Sequence, residues 1–265
     1  NRMLDREQAV INEIIFGLIS QRRAAIEAGE LVPEDLLTLL LEAQTDDGYR
    51  MDNQQIRDEC VTLFMAGHET TANALSWTML LLAQHPEIAE RLRSELDELL
   101  GDRPPTLDDL GRLTYTTMVL KESMRLYPPA WITSRELFES VEIGGERIRK
   151  ASSMVIIAPF TMHRHPEIFP DPERFDPERF HPDRENDIPR YAYIPFGGGP
   201  RVCIGNHFAM MEAKLILAAV VQHSDLWLHP NAVIEPEPLI TLRPKHGILM
   251  TRSRRVQQLE RISAT

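Results

Sequence analysis

A stretch from Asp52 or Asn53 to about Gln84 sets the scale of everything around it. Val61, Leu63, Phe64, Met65, Leu75, Trp77 and Leu80 fall within it, and the run predicts one continuous helix. At 1.5 Å per residue such a helix is roughly 45 Å long, enough to cross a whole domain. A helix this long and this apolar in a soluble chain predicts burial on most sides. Its middle reads Ala66-Gly67-His68-Glu69-Thr70-Thr71. Gly67 costs about 1 kcal/mol against alanine in a helix. The paired threonine hydroxyls can bond back to carbonyls one turn earlier and bend the axis. The expectation is a break that makes room for a small ligand and turns polar groups toward it; the alternative is a plain helix kink with a solvated Glu69 and His68.

The second constraint is Phe196-Gly197-Gly198-Gly199-Pro200-Arg201-Val202-Cys203-Ile204-Gly205, a glycine-rich loop that delivers a cysteine to the start of an apolar helix. The glycines permit backbone angles closed to other residues and the approach of something large and flat. Pro200 stiffens the turn. A cysteine at a helix start is pushed toward thiolate, the form that binds metal. Phe196 and Arg201 beside it suit an iron ligand shielded from water. A phosphate-binding reading fails because no Gly-Lys-Ser/Thr follows the glycines.

The pattern Phe-x-x-Gly-x-Arg-x-Cys-x-Gly, carried by Phe196, Gly199, Arg201, Cys203 and Gly205, resembles the haem-ligand loop of the cytochrome P450 family, the haem-thiolate monooxygenases. Ala66-Gly67-His68-Glu69-Thr70 resembles the family's oxygen-binding stretch. The resemblance implies that Cys203 binds the iron of haem b and that Arg201 holds a propionate. Thr70 would hydrogen-bond dioxygen, Glu69 would help deliver protons, and Ala66 and Gly67 would leave space beside the iron. His68 and Thr71 would be structural. Arg135, in Ser134-Arg135-Glu136-Leu137, matches a strand position where the family often places a second propionate arginine; an exposed strand arginine is the alternative.

Residues 113 to 126 read as a helix that carries Glu122-Ser123-Met124-Arg125 and stops at Tyr127-Pro128-Pro129. Glu and Arg at i, i+3 share a helix face, and such a pair is most often a weak surface one. Here it resembles the family's Glu-x-x-Arg helix. Phe175-Asp176-Pro177-Glu178-Arg179-Phe180 resembles the segment whose arginine bridges that pair. Arg179 is the choice by its distance to the cysteine loop, with Arg174 of the preceding repeat as runner-up. A buried Glu122, Arg125, Arg179 network would hold the haem-binding half together rather than do chemistry.

Further helices are expected over 4–28, 36–43, 86–100 and 206–223, the last with Phe208, Ala209, Leu215, Ile216, Ala219 and Val220 on its buried face. Short strands are expected over 131–137, 141–143, 147–148, 154–157, 226–228, 239–242 and 247–250, with Gly144-Gly145 as a hairpin turn. His163 and His165 read as solvated loop residues rather than metal ligands. Pro129 to Ile132 would line the substrate pocket by resemblance, and core packing is an equal account of Trp131. Lys214 could face a redox partner or be a plain surface lysine. The tail from Ser253 reads as polar and frayed.

The fold class expected is mainly α with small β-sheets, a cytochrome P450 fold whose amino-terminal part is missing, so that residues 1–265 form the carboxy-terminal haem-binding portion of a single domain. The net charge of −11 argues against nucleic acid as a partner. Two cysteines make no disulfide framework and favour a reducing cytoplasm. No segment reaches the apolar length of a membrane span, and the sequence leaves open an anchor upstream of Asn1. The resemblance implies a monooxygenase that inserts one atom of O2 into an apolar substrate. Electrons would come from a ferredoxin or flavoprotein reductase. Arg125-Leu126-Tyr127-Pro128-Pro129 leans toward the fatty-acid-hydroxylase side of the family. The competing readings are a truncated haem-binding module without that activity and a peroxide-using enzyme, the latter disfavoured by the Glu69-Thr70 pair.

Overall fold

The computed structural model describes residues 2–150 and 154–255. They form two compact units, divided between His68 and Glu69. The first unit holds helix α1 (Arg2–Glu27), α2 (Leu36–Glu42) and the opening of α3 (Asn53–Gln84). Gly29 ends the α1 connection with a positive φ of 70°. Asp35 starts α2 by accepting from the Thr38 N–H at 3.0 Å, and Arg22 grips the same carboxylate through both terminal nitrogens, at 2.6 and 2.9 Å. Asp52 and Gln55 cap α3 reciprocally: Asp52 Oδ1 accepts from Gln55 N–H at 2.8 Å, and Gln55 Oε1 accepts from Asp52 N–H at 3.0 Å. A small core of Ile19, Leu41 and Ile56 joins the three helices.

Helix α3 is uninterrupted from Asn53 to Gln84, so the expected break at Gly67 is absent. Nor is the helix buried on most sides. Phe64 is 71% exposed and Met65 59%, and Ala66 to His68 are exposed as well. A single glycine costs helix stability without forbidding helical angles, and the long runs of helical neighbours on either side, 53–66 and 68–84, carry the ladder across it. From Thr71 onward the burial changes: Trp77, Thr78 and Leu80 are enclosed.

The second unit packs the end of α3 with α4 (Pro86–Leu100), α5 (Thr114–Leu126) and α7 (Asn206–His223). Their shared core includes Leu81, Leu92, Leu96, Leu120, Phe180 and Leu217. Pro86 opens α4, where a missing N–H costs nothing, and Gly101 closes it at φ 56°. The buried face of α7 is Ala213, Leu217, Ala218, Val221 and Gln222. That corrects the sequence reading: Phe208 and Ile216 are exposed. The helix is apolar on nearly every side, so periodicity could not choose its face.

Four antiparallel strand pairs complete this unit. β1 (Thr133–Glu136) pairs with β4 (Met154–Ile157), and β2 (Val141–Ile143) with β3 (Glu146–Ile148) across Gly144 and Gly145, both at positive φ. β5 (Ser224–Leu228) pairs with β8 (Met250–Arg254), and β6 (Pro236–Pro238) with β7 (Leu242–Pro244). Residues 239–241, expected as strand, are instead the turn of the last hairpin. The chain from Ser253 is not frayed at its start: Ser253 and Arg254 extend β8 opposite Asp225 and Ser224. The rest of that expected tail, from residue 256, lies outside the described residues. A single turn, α6 (Pro159–Met162), leads to His163.

Candidate functional site

The cysteine loop is built from the inside out. Tyr193 donates its hydroxyl to the Lys121 carbonyl at 2.8 Å, and its ring lies 4.6 Å from that of Phe180. Ile194 N–H donates to His163 Nε2 at 2.8 Å. The chain that enters the loop is therefore fastened to buried structure before the glycines begin. Gly197 and Gly199 take φ of 74° and 69°, angles that cost side-chain-bearing residues about 1–2 kcal/mol. Gly198 is extended, but a Cβ there would come within 3.1 Å of the Tyr191 ring. The loop closes where Cys203 N–H donates to the Phe196 carbonyl at 2.9 Å. A cavity of about 260 Å³ lies against it, walled by Met124, Phe196, Gly197, Val202, Asn206 and Met210.

Cys203 ends up exposed, two residues before Gly205, which caps α7. The sequence reading had it at the helix start itself; the shielding from water expected there is that of a sulfur already bound to iron. Its neighbour Ile204 is 89% exposed, and Val202 and Phe208 are exposed too. A soft sulfur donor amid apolar side chains is a surface that an apolar planar metal complex would cover. Arg201, also exposed, supplies a cation two residues from the sulfur. These residues fit haem bound through one thiolate, which asks the protein for a single metal ligand. Among the described residues no group of three or more His, Cys, Asp or Glu is placed to hold a metal ion.

Glu122, Arg125 and Arg179 do come together. Glu122 and Arg125 are both 0% exposed, with Arg125 Nε 2.7 Å and Nη2 2.8 Å from the two carboxylate oxygens. The remaining donors of Arg125 reach the carbonyls of His163 at 2.9 Å, Pro172 at 2.7 Å and Arg174 at 3.1 Å. All five N–H groups of the guanidinium are thereby used. Arg179 Nε lies 3.4 Å from Glu122, while its Nη2 donates to the Asp171 carbonyl at 3.0 Å. Arg179 adds charge more than an aligned bond, since its Nε makes no hydrogen bond. Arg174 contributes only its carbonyl and is exposed. Burial pushes the Glu122 carboxyl up, against the pull of Arg125 and of the Asp176 N–H at 2.9 Å.

His163 is not the solvated loop residue expected. It is fully buried, and burial together with the Arg125 charge lowers its pKa to about 4. It links the two assemblies, accepting from Arg125 through its carbonyl and from Ile194 through its ring. His165 is exposed. Arg135 is exposed and bonds its own strand, through Thr133 Oγ1 at 3.0 Å and the Ser134 carbonyl at 2.8 Å. Lys214 is half-buried and donates to the Leu110 carbonyl at 3.3 Å. Trp131 donates its indole N–H to the Leu239 carbonyl at 2.9 Å. Glu69 and Thr70 are half-buried. Glu69 accepts a hydrogen bond from Thr241, a residue the sequence reading did not single out.

A mainly helical fold with small antiparallel sheets, one thiol presented on a glycine loop and a buried Glu-Arg pair beneath it together define a protein of the haem-thiolate class. The family comparison is specific: the cytochrome P450 family model matches residues 1–251, and this chain belongs to that family. A Mycobacterium tuberculosis protein called putative cytochrome P450 132 is 47% identical over 221 residues, 83% of this chain and 47% of the relative. Cyclooctatin synthase of Streptomyces melanosporofaciens is 42% identical over 243 residues, covering 91% and 52%. Human cytochrome P450 4V2 is 42% identical over 224 residues, covering 83% and 42%. The chain spans about half the length of these curated relatives. No helix among the described residues is long and apolar enough to cross a membrane.

Proposed function

We propose that this chain carries the haem-binding portion of a single-domain cytochrome P450 monooxygenase, which inserts one atom of O2 into an apolar organic substrate. The observation that carries the reading is the loop from Phe196 to Gly205, whose glycines, closing hydrogen bond and exposed Cys203 thiol suit haem b. When bound, the haem would supply the oxygen activation and C–H oxidation, with the thiolate's electron donation favouring O–O cleavage.

The protein's own part is to bind, orient and move protons. Cys203 Sγ would hold the metal, with Phe196 and Gly205 shaping the loop on either side of it. Arg201, and by resemblance Arg135, would pair with the carboxylates of the cofactor. By resemblance Ala66 and Gly67 would leave room beside it. Thr70 Oγ1 would hydrogen-bond the oxygen substrate, and the Glu69 carboxylate would take a proton from solvent and pass it inward. Glu122, Arg125 and Arg179 keep the loop's foundation fixed and touch no reactant.

One relative is named cyclooctat-9-en-7-ol 5-monooxygenase, and that name supports the reaction type. Fatty acids are the first substrates to titrate, on the strength of the motif spelling alone. A ferredoxin or flavoprotein reductase would supply electrons, and two free cysteines suit a reducing cytoplasm. The test is the carbon monoxide difference spectrum of the reduced protein. A thiolate-type band that disappears in Cys203→Ala supports the reading; a band retained by that variant, or a histidine-type band in the parent, overturns it.

A further inference from the structure

Thr241 lies just past the exposed tip of the β6–β7 hairpin, and its side chain is buried. Its Oγ1 is 2.8 Å from Glu69 Oε1 and 3.1 Å from Asn73 Nδ2. The chemistry of the three groups fixes the direction of both bonds. An amide nitrogen can only donate and an ionised carboxylate can only accept. The single hydroxyl proton of Thr241 is therefore committed to Glu69, while its lone pair takes the Asn73 amide. Glu69 and Asn73 are four residues apart on α3 and leave it on one face. Thr241 closes the chain from a hairpin 172 residues away in sequence.

The hairpin is held by three further bonds besides the one to Glu69. Trp77 Nε1 donates to the Leu242 carbonyl at 3.0 Å, Leu242 N–H to the Pro129 carbonyl at 2.9 Å, and Trp131 Nε1 to the Leu239 carbonyl at 2.9 Å. Trp77 is fully buried and stacked on Tyr127, with ring centroids 4.3 Å apart. Three anchors on two other segments thus hold the turn, and the bond from Thr241 to Glu69 adds a fourth that ties it to the middle of α3. A half-buried glutamate on a helix otherwise has several rotamers open to it. The anchored hydroxyl selects one.

We infer that Thr241, backed by Asn73, is a positioning residue for Glu69, so that the β6–β7 hairpin forms part of the proton-delivery apparatus. The role assigned to Glu69 rests on the proposed function; the mechanical link between hairpin and helix does not. The test uses Thr241→Val, which keeps the shape and removes the donor, and Thr241→Ser, which keeps the donor. Hydrogen exchange at the Leu239 and Leu242 amides is followed in the haem-loaded protein without substrate. Both should exchange faster in Thr241→Val and in Glu69→Ala, and no faster in the double variant than in the worse single one. During turnover Thr241→Val should release several-fold more peroxide per electron pair consumed, and Thr241→Ser should restore most of the coupling. Additive exchange effects, peroxide release unchanged in Thr241→Val, or a Thr241→Ser as leaky as the valine variant each overturn the inference. A protein lacking the thiolate band would sink the proposed function, and the exchange measurements would still decide whether Thr241 holds Glu69.

Discussion

Replacing Arg125 by methionine is the sharpest perturbation of the scaffold under the cysteine loop. The side chain has no exposure, and its five donors reach Glu122 twice and three loop carbonyls once each. Methionine fills most of the volume and supplies none of these bonds. Glu122, also fully buried, would keep the Asp176 N–H at 2.9 Å and the poorly aligned Arg179 at 3.4 Å. Removing one partner of a buried pair costs about 3–5 kcal/mol, mostly from the stranded charge. Against a total stability of about 5–15 kcal/mol, that is a large share. At about 2–4 °C per kcal/mol for a chain of this size, the midpoint should fall by roughly 10 °C. Removing the stranded charge as well, in Arg125→Met with Glu122→Leu, should recover about 2 kcal/mol. Guanidinium unfolding of the parent, both single variants and the double variant, followed by far-ultraviolet circular dichroism, gives the coupling directly. A loss under about 1 kcal/mol in Arg125→Met, or a double variant whose loss equals the sum of the singles, would refute the reasoning.

His163 should make the fold acid-sensitive in a defined window. Its pKa falls from 6.5 to about 4 in the folded chain, so the fold favours the neutral ring. That stability is complete above about pH 6.5 and is lost as pH falls through about 4, a total of about 3 kcal/mol. Unfolding midpoints measured from pH 7 to pH 4 should drop less steeply in His163→Gln; identical slopes would exclude this residue as the cause. Glu95 caps α5 from the neighbouring helix, accepting from the Tyr115 and Thr116 N–H groups at 2.5 and 2.9 Å and from the Thr116 hydroxyl at 2.6 Å. Glu95→Ala should cost about 1–2 kcal/mol in the same unfolding assay, and no loss would show that solvent replaces the carboxylate.

What the sequence made legible were features set by neighbours along the chain. The ends of α2, α3 and α4 follow from Asp35, Asp52 and Gly101, whose capping roles are local. The positive φ values of Gly197 and Gly199 follow from the composition of the loop itself. The partners of Glu122 were readable because Arg125 sits one turn away and Arg179 lies in a matching motif. Other features depend on contacts between distant segments and left little trace. Thr241 resembles any threonine in a β-turn until it meets Glu69. The protonation of His163 is set by burial and by Arg125, which lies 38 residues away. The face of α7 was misread because apolar residues encircle it, and the exposed half of α3 because length and hydrophobicity do not reveal what a helix touches. The start of α5 was read to within a residue, at Leu113 against Thr114, but the group that caps it, Glu95, sits on α4 and leaves no mark in the local sequence.

Arg125 hydrogen-bonds the segment after α6 through that segment's main chain, and the guanidinium also lies over the Phe169 ring, 5.3 Å from its centroid. The oxygens it binds belong to His163, Pro172 and Arg174, and every amino acid offers the same carbonyl. At positions 172 and 174 the guanidinium is blind to side-chain identity and responds only to the path of the backbone. For this grip the lettering at those two positions is free to change, while the foundation under the cysteine loop keeps its shape. A tolerance to rewriting is thus built into a segment held by three main-chain bonds.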